Sequence, residues 1–129
     1  MPPAPIFPVS DAEAAALDLP SRGPLAPPVG QPLDGPMETF GRTFFTSDNG
    51  IIHAGLWECS AGRLRADFGD DGEMVHVVKG TLHAIPDHGE PFTLHPGDSA
   101  TFTPGWTGIW ELRESMRKLY CVFDFSGLR

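Results

Sequence analysis

Two acidic side chains, Asp67 and Glu73, stand six residues apart, the first behind Arg63 and Arg65, the second ahead of the apolar run Met74 to Val78. A carboxylate held in apolar surroundings has a raised pKa and exchanges protons near neutrality. Two that share a site can divide the work of acid and base. Arg63 and Lys118 are the matching cations. A guanidinium fork grips a carboxylate through two hydrogen bonds, and a desolvated lysine serves as nucleophile or acid. Trp57, Trp110 and Tyr120 supply flat walls for a pocket. Each of these residues also has a structural reading. Glu73 is then a glutamate paired with an arginine or lysine, and Asp67 is a turn-edge aspartate facing water. Arg63 and Lys118 are partners of Glu58, Asp67 or Glu111 on neighbouring strands, and the tryptophans are core.

Other chemistries find no motif. The five histidines, His53, His76, His83, His88 and His95, form no His-x-His or His-x-x-x-His pair. Cys59 and Cys121 form no Cys-x-x-Cys, and each sits in an apolar run as a buried free thiol would. There is no Gly-x-Ser-x-Gly elbow, phosphate loop or dinucleotide fingerprint. The net charge of −8 and pI near 4.9 repel phosphate backbones, so no nucleic-acid partner is expected. Arg113, Arg117 and Lys118 are interleaved with Glu114 and hydrophobics, as on a solvated strand edge. No run approaches the ~18 apolar residues of a membrane helix, and no basic-then-apolar leader opens the chain. A cytoplasmic protein without membrane contact is the expectation.

The elements that must position these side chains are short strands. With 129 residues the chain is long enough for one domain. Ten of its 14 prolines lie within residues 1–38, an N-terminal arm that should be extended, and either mobile or wrapped on the body or on a partner. One helix is predicted there, with Ser10 and Glu13 at capping-box spacing, Ala12 to Leu17 as helix formers and Pro20 as the stop. Residues 39–129 form the domain proper. Its apolar runs begin near residues 41, 51, 63, 74, 81, 92, 100, 107 and 118, separated by turn sequences such as Ser47-Asp48-Asn49-Gly50 and Gly69-Asp70-Asp71-Gly72. About nine short strands at this spacing indicate an all-β sandwich or barrel. Period-two alternation sets His76 opposite to Glu73, Val75 and Val77, at the surface or an interface. It also divides Arg63, Arg65 and Asp67 from Leu64, Ala66 and Phe68, leaving open which row faces inward.

Two segments resemble the paired motifs of the cupin superfamily. Glu73 to Gly80 is similar to the end of the first, and Gly97 to Gly105 is similar to the second, with Thr103 where a proline is usual and Pro104 after it. Gly55 to Arg63, Gly108-Ile109-Trp110-Glu111 and Arg117-Lys118-Leu119-Tyr120 resemble the small cupins related to ureidoglycine aminohydrolase and to the ethanolamine-utilisation Q protein. The resemblance implies an all-β jelly-roll barrel with a Pro-rich N-terminal extension, a homodimer, and a site inside the barrel. Glu73 and Asp67 would be its acid and base, Arg63 or Lys118 its anion clamp, and Trp57, Trp110 and Tyr120 its walls. Metal-binding cupins use two histidines before the glutamate and one in the second motif. Here those positions fall at Asp67 and Gly69, or Ala66 and Phe68, and at Gly108. Carboxylates without imidazole are a poor site for iron, nickel or zinc and hold manganese or magnesium only weakly. No cofactor is therefore expected. The expected ligand is a small ureide, amide or carboxylate, converted in the barrel or bound without chemistry.

Overall fold

Alternating apolar and polar residues become two antiparallel sheets in the computed structural model, which describes residues 6–125. In chain order the elements are α1 (Asp11–Ala16), β1 (Ser21–Pro24), β2 (Gln31–Pro32), β3 (Glu38–Thr46), β4 (Ile52–Cys59), β5 (Gly62–Asp67), β6 (Gly72–Lys79), β7 (Leu82–Pro86), β8 (Phe92–Leu94), β9 (Ser99–Phe102), β10 (Thr107–Leu112) and β11 (Met116–Phe123). One sheet runs β1-β3-β4-β11-β6-β9 and the other β2-β5-β10-β7-β8. Their inner faces meet over Leu64, Val75, Val77, Leu82, Phe102 and Leu112, all at most 2% exposed. The result is the jelly-roll arrangement of two facing sheets.

At one end the core is aromatic. Phe102 lies 4.9 Å from Trp106, 5.0 Å from Trp110 and 5.4 Å from Phe68, between ring centres. Edge and offset contacts of this kind add ~1 kcal/mol per pair beyond the area they bury.

The Pro-rich segment is neither a tail nor purely irregular: it supplies an edge strand to each sheet. Proline lacks an N–H, so an edge is where it can sit without breaking a ladder, and Pro24 and Pro32 occupy such positions. Side-chain and backbone bonds hold the segment down. Thr39 Oγ1 donates to the Gly23 carbonyl at 2.9 Å, Leu25 N–H to Met37 at 2.7 Å, and Leu33 N–H to Arg63 at 2.9 Å.

Helix α1 has the expected capping box, with Ser10 Oγ accepting from Glu13 N–H at 3.1 Å and Glu13 Oε1 accepting from Ser10 N–H at 3.3 Å. A helix this short is not stable by itself. Its C-terminal carbonyls are met from below by Arg117, whose Nη1 donates to Ala14 at 2.8 Å and Leu17 at 2.6 Å while its Nε donates to Glu58 at 2.9 Å. Arg117 and Lys118 are thus not on a solvated edge: both are buried, Arg117 under the helix and Lys118 between the sheets. β11 is a central strand, with the second sheet over Lys118 on its inner face and α1 over Arg117 on its outer face.

Removing Arg117 leaves helix carbonyls and Glu58 without their main donor. Arg117→Ala should lower the unfolding free energy by about 2–4 kcal/mol. Urea denaturation measures this, and a loss of only a few tenths of a kcal/mol would show that Arg117 does not anchor the helix.

Candidate functional site

Strand pairing decides which side chains meet between the sheets. β11 lies between β4 and β6, so Lys118 stands beside Trp57 and Val77, Tyr120 beside Gly55 and Val75, and Val122 beside His53 and Glu73. A register shift between Arg117 and Lys118 adds one residue on β6. Such a bulge re-aims the strand end, and Lys79 here turns toward Glu58 on the outer face, 3.7 Å away. Lys118 and Glu73 extend toward each other along the inner face and form an ion pair, with side chains only 7% and 6% exposed. The ammonium is boxed by aromatic rings, 4.6 Å from the centre of Trp57, 4.7 Å from Trp110 and 5.8 Å from Tyr120. Ring faces attract a cation, and the attraction grows when water is excluded.

The pair lies against a cavity of about 610 Å³. Its walls include Trp57, Trp110, Tyr120 and Phe68, and residues 24–29 contribute Pro24, Leu25, Ala26, Pro28 and Val29. Among the described residues, two buried polar atoms of the lining have no hydrogen-bond partner, Trp110 Nε1 and Asp71 Oδ1. Orphaned buried groups are uncommon and mark a place where water or a ligand belongs. The site therefore offers a shielded proton donor and acceptor, an unused indole N–H and flat apolar walls.

The residues nominated from sequence do not all converge. Glu73, Lys118, Trp57, Trp110 and Tyr120 meet at the cavity. Asp67 reaches only its rim, is exposed, and accepts from Gly69 N–H at 3.0 Å, so it forms no carboxylate pair with Glu73. Arg63 lies outside the cavity. On β5 the residues turned to the core are Leu64 and Ala66, and Arg63 points outward to a bidentate bond with Asp34 at 2.8 Å. That partner belongs to the N-terminal segment and is none of the three expected for it.

Five polar cavity residues escaped the sequence reading: Arg22, Thr39, Thr43, His53 and Asp71. His53 shares strand parity with Trp57, and Asp71 precedes Glu73 by two residues, so alternation could have found both. Arg22 lies in the Pro-rich segment, where no periodicity signals it. Burial pushes the Asp71 carboxyl above its ordinary value of 3.8, Asp124 beside it adds to the rise, and the Phe125 backbone N–H opposes it. The Cys59 thiol is pushed up to about 11, first by burial, with Glu58 adding and Lys118 opposing. It is the buried free thiol that its sequence context implies.

A metal of the usual cupin kind does not fit these residues. Glu73 is already matched by the Lys118 ammonium. Ala66 is buried core and Phe68 belongs to the aromatic cluster. At Gly108 a side chain has no room, because a Cβ there would lie 2.5 Å from the Ile85 carbonyl oxygen and 2.6 Å from the Trp106 ring. Among the described residues no three His, Cys, Asp or Glu side chains converge.

The family model of the EutQ-like cupin domain matches residues 46–120. The chain belongs to the EutQ-like cupins. No curated protein matches it. Among solved structures, this cupin is similar to a protein of unknown function of the DUF861 family from Pseudomonas syringae pv. tomato, with a TM-score of 0.71 and 17% identity over 83% of this chain. It spans 45% of that protein's length. It also resembles the EutQ protein of Clostridium difficile, with a TM-score of 0.59 and 18% identity over 70% of this chain and 71% of the other. Ectoine synthase from P. lautus has a TM-score of 0.61 and 16% identity, over 72% and 68%. At these identities the likeness is one of fold. No helix among the described residues is long and apolar enough to cross a membrane.

The Asp71 shift fixes a pH dependence. In the folded protein its carboxyl keeps a proton over a range where the unfolded chain has lost it, so stability falls as pH rises through the interval above 3.8. Asp71→Asn should raise stability at pH 7 and flatten its decline as pH rises above 3.8. Urea midpoints measured across that range test this. A variant less stable than the parent at pH 7 would contradict it.

Proposed function

We propose that this cupin binds a small polar metabolite in the barrel cavity and converts it by proton transfer through Glu73 and Lys118, with no metal taking part. One observation carries the reading: an ion pair excluded from water, boxed by three aromatic rings, and open to a cavity sized for a small ligand. An ammonium has three donor hydrogens. Lys118 can bond a substrate carbonyl oxygen alongside Trp110 Nε1–H while remaining paired to Glu73. The carboxylate can take a proton from an adjacent N–H or O–H, and the ammonium can return one to a leaving nitrogen or oxygen. Asp67, on the rim, would steer polar groups inward and take no part in the proton transfer. Ureides, amides and their carboxylates have the required carbonyl and exchangeable protons, and the aminohydrolase resemblance points to the same class.

A second reading is binding without chemistry. What favours it is that Glu73 and Lys118 satisfy each other directly, which stabilises the resting pair.

The decisive variants follow from the energetics of buried pairs. Removing one partner strands a charge and costs about 3–5 kcal/mol, whereas replacing both by neutral groups of like shape is near neutral. Glu73→Gln together with Lys118→Met should therefore unfold at nearly the parent's denaturant concentration. It should lose both binding and turnover of whichever ureide, amide or carboxylate the parent accepts. Turnover kept by the double variant would end the catalytic reading.

We further propose a homodimer through the outer face of the larger sheet. Phe45, Ala54, Cys121 and Met74 form one row across β3, β4, β11 and β6, with Ile52 and Phe123 beside it. Phe45 and Met74 are 51% and 49% exposed, although apolar. A contiguous apolar face of this kind is a usual association surface. Met74→Glu should give a monomer by light scattering. An unchanged mass would place the interface elsewhere.

A further inference from the structure

Among the described residues, the cavity holds one Lys or Arg with no carboxylate within ion-pair distance. Among the described residues, Arg63, Arg65, Lys79, Arg113, Arg117 and Lys118 each lie within ion-pair distance of a carboxylate. Arg22 and Arg42 do not. Arg42 is turned away from the cavity, toward the Asp18 carbonyl at 3.3 Å. Arg22 lines the cavity.

Its position is built. Arg22 enters on β1, at the edge of the larger sheet, and its guanidinium folds back over the inner face of β3 at Gly41. A Cβ on residue 41 would lie 2.5 Å from Arg22 Cζ, so the glycine leaves the guanidinium the place it takes here. Arg22 Nη2 donates to Thr43 Oγ1 at 3.0 Å, which fixes one side of the fork. A guanidinium carries five donor hydrogens, and this bond uses one. Gly41 pairs with Trp57, and Trp57 pairs with Lys118, so the Arg22 guanidinium lies over a strand two away from the one that carries Lys118, although Arg22 itself is on β1, three strands from β11. In a chain of net charge −8, a guanidinium left without a carboxylate beside a cavity is a vacancy for an anion.

Resting on the proposed function of the same cavity, we infer that the ligand is a carboxylate: Arg22, steadied by Thr43, grips its carboxylate group, while Lys118 and Trp110 Nε1–H receive a carbonyl farther along the same molecule. The ligand class is thus a short chain with a carboxylate at one end and an amide or ureide carbonyl at the other. Arg22 is a specificity residue and takes no part in proton transfer. The clamp belongs to the N-terminal segment, whose residues 24–29 also wall the cavity, so one stretch of chain both covers the ligand and selects it.

The experiment is calorimetric titration of the full chain with matched pairs that differ only at one end: succinamate against succinamide, malonamate against malonamide, and N-carbamoylglycine against its primary amide. The parent should bind at least one carboxylate about tenfold tighter than its amide, the scale of one charge-assisted hydrogen bond. Arg22→Gln should erase that preference and leave amide affinity and the far-UV spectrum unchanged, since the side chain is exposed and makes one bond. Arg22→Lys should restore only part of it, because a point charge lacks the fork. A preference that survives Arg22→Gln overturns the clamp. The cavity reading then stands if the Glu73→Gln, Lys118→Met double variant still abolishes binding. Parent protein that binds amides as tightly as carboxylates likewise overturns the clamp alone. If the parent binds none of the six probes, the clamp and the cavity reading fall together.

Discussion

Burying a lysine and a glutamate between two sheets is expensive, and much of this molecule can be understood as what makes that arrangement tolerable. Each ion loses several kcal/mol of hydration, which mutual attraction offsets only when the geometry is fixed. Here the fixing is done by three strands. β11 brings Lys118 in from one end, β6 brings Glu73 from the other, and β4 places Trp57 under the ammonium. The aromatic box supplies part of the lost solvation through ring faces, with no competing acceptor. The same central strand spends its outward side chain, Arg117, on Glu58 and on the end of α1. Adjacent residues of one strand thus hold two buried cations, on opposite faces of the sheet.

The strands were legible because alternation and turn residues are local signals. All nine predicted runs correspond to strands, and the helix starts at the predicted cap. What was illegible is instructive. Period-two parity separates two faces but does not say which is inside, so Arg63 could be drawn into the cavity on the same grounds as Lys118. Pairing partners settle it, and these are long-range. The Pro-rich segment hid two edge strands because proline erases the propensity signal while remaining compatible with a sheet edge. Arg22 was invisible for the same reason. Its place depends on Gly41, 19 positions away in sequence, having no side chain. The ion pair itself was half legible: Glu73 had pairing with a lysine as one of its readings, and Lys118 was nominated on other grounds.

The division of labour between the two sheets follows. The smaller sheet contributes Trp110 and Phe92 to the aromatic packing, and the core-facing residues of its strand β5 are Leu64 and Ala66. The larger sheet carries Thr39, Thr43, His53, Glu73 and Lys118 on its inner face, and at its edge the strand that bears Arg22. One sheet is thus mainly hydrophobic backing, and the other mainly chemistry.

The glycine at 108 closes a path through sequence space. In this barrel a histidine there must displace the Trp106 ring and move the Ile85 carbonyl before it can reach a cation. Trp106 in turn packs on Phe102, so its loss opens the core. Even then Lys118 still occupies the glutamate. In this barrel a histidine at 108 thus competes with the packed Trp106 ring, and a cation at Glu73 competes with the Lys118 ammonium.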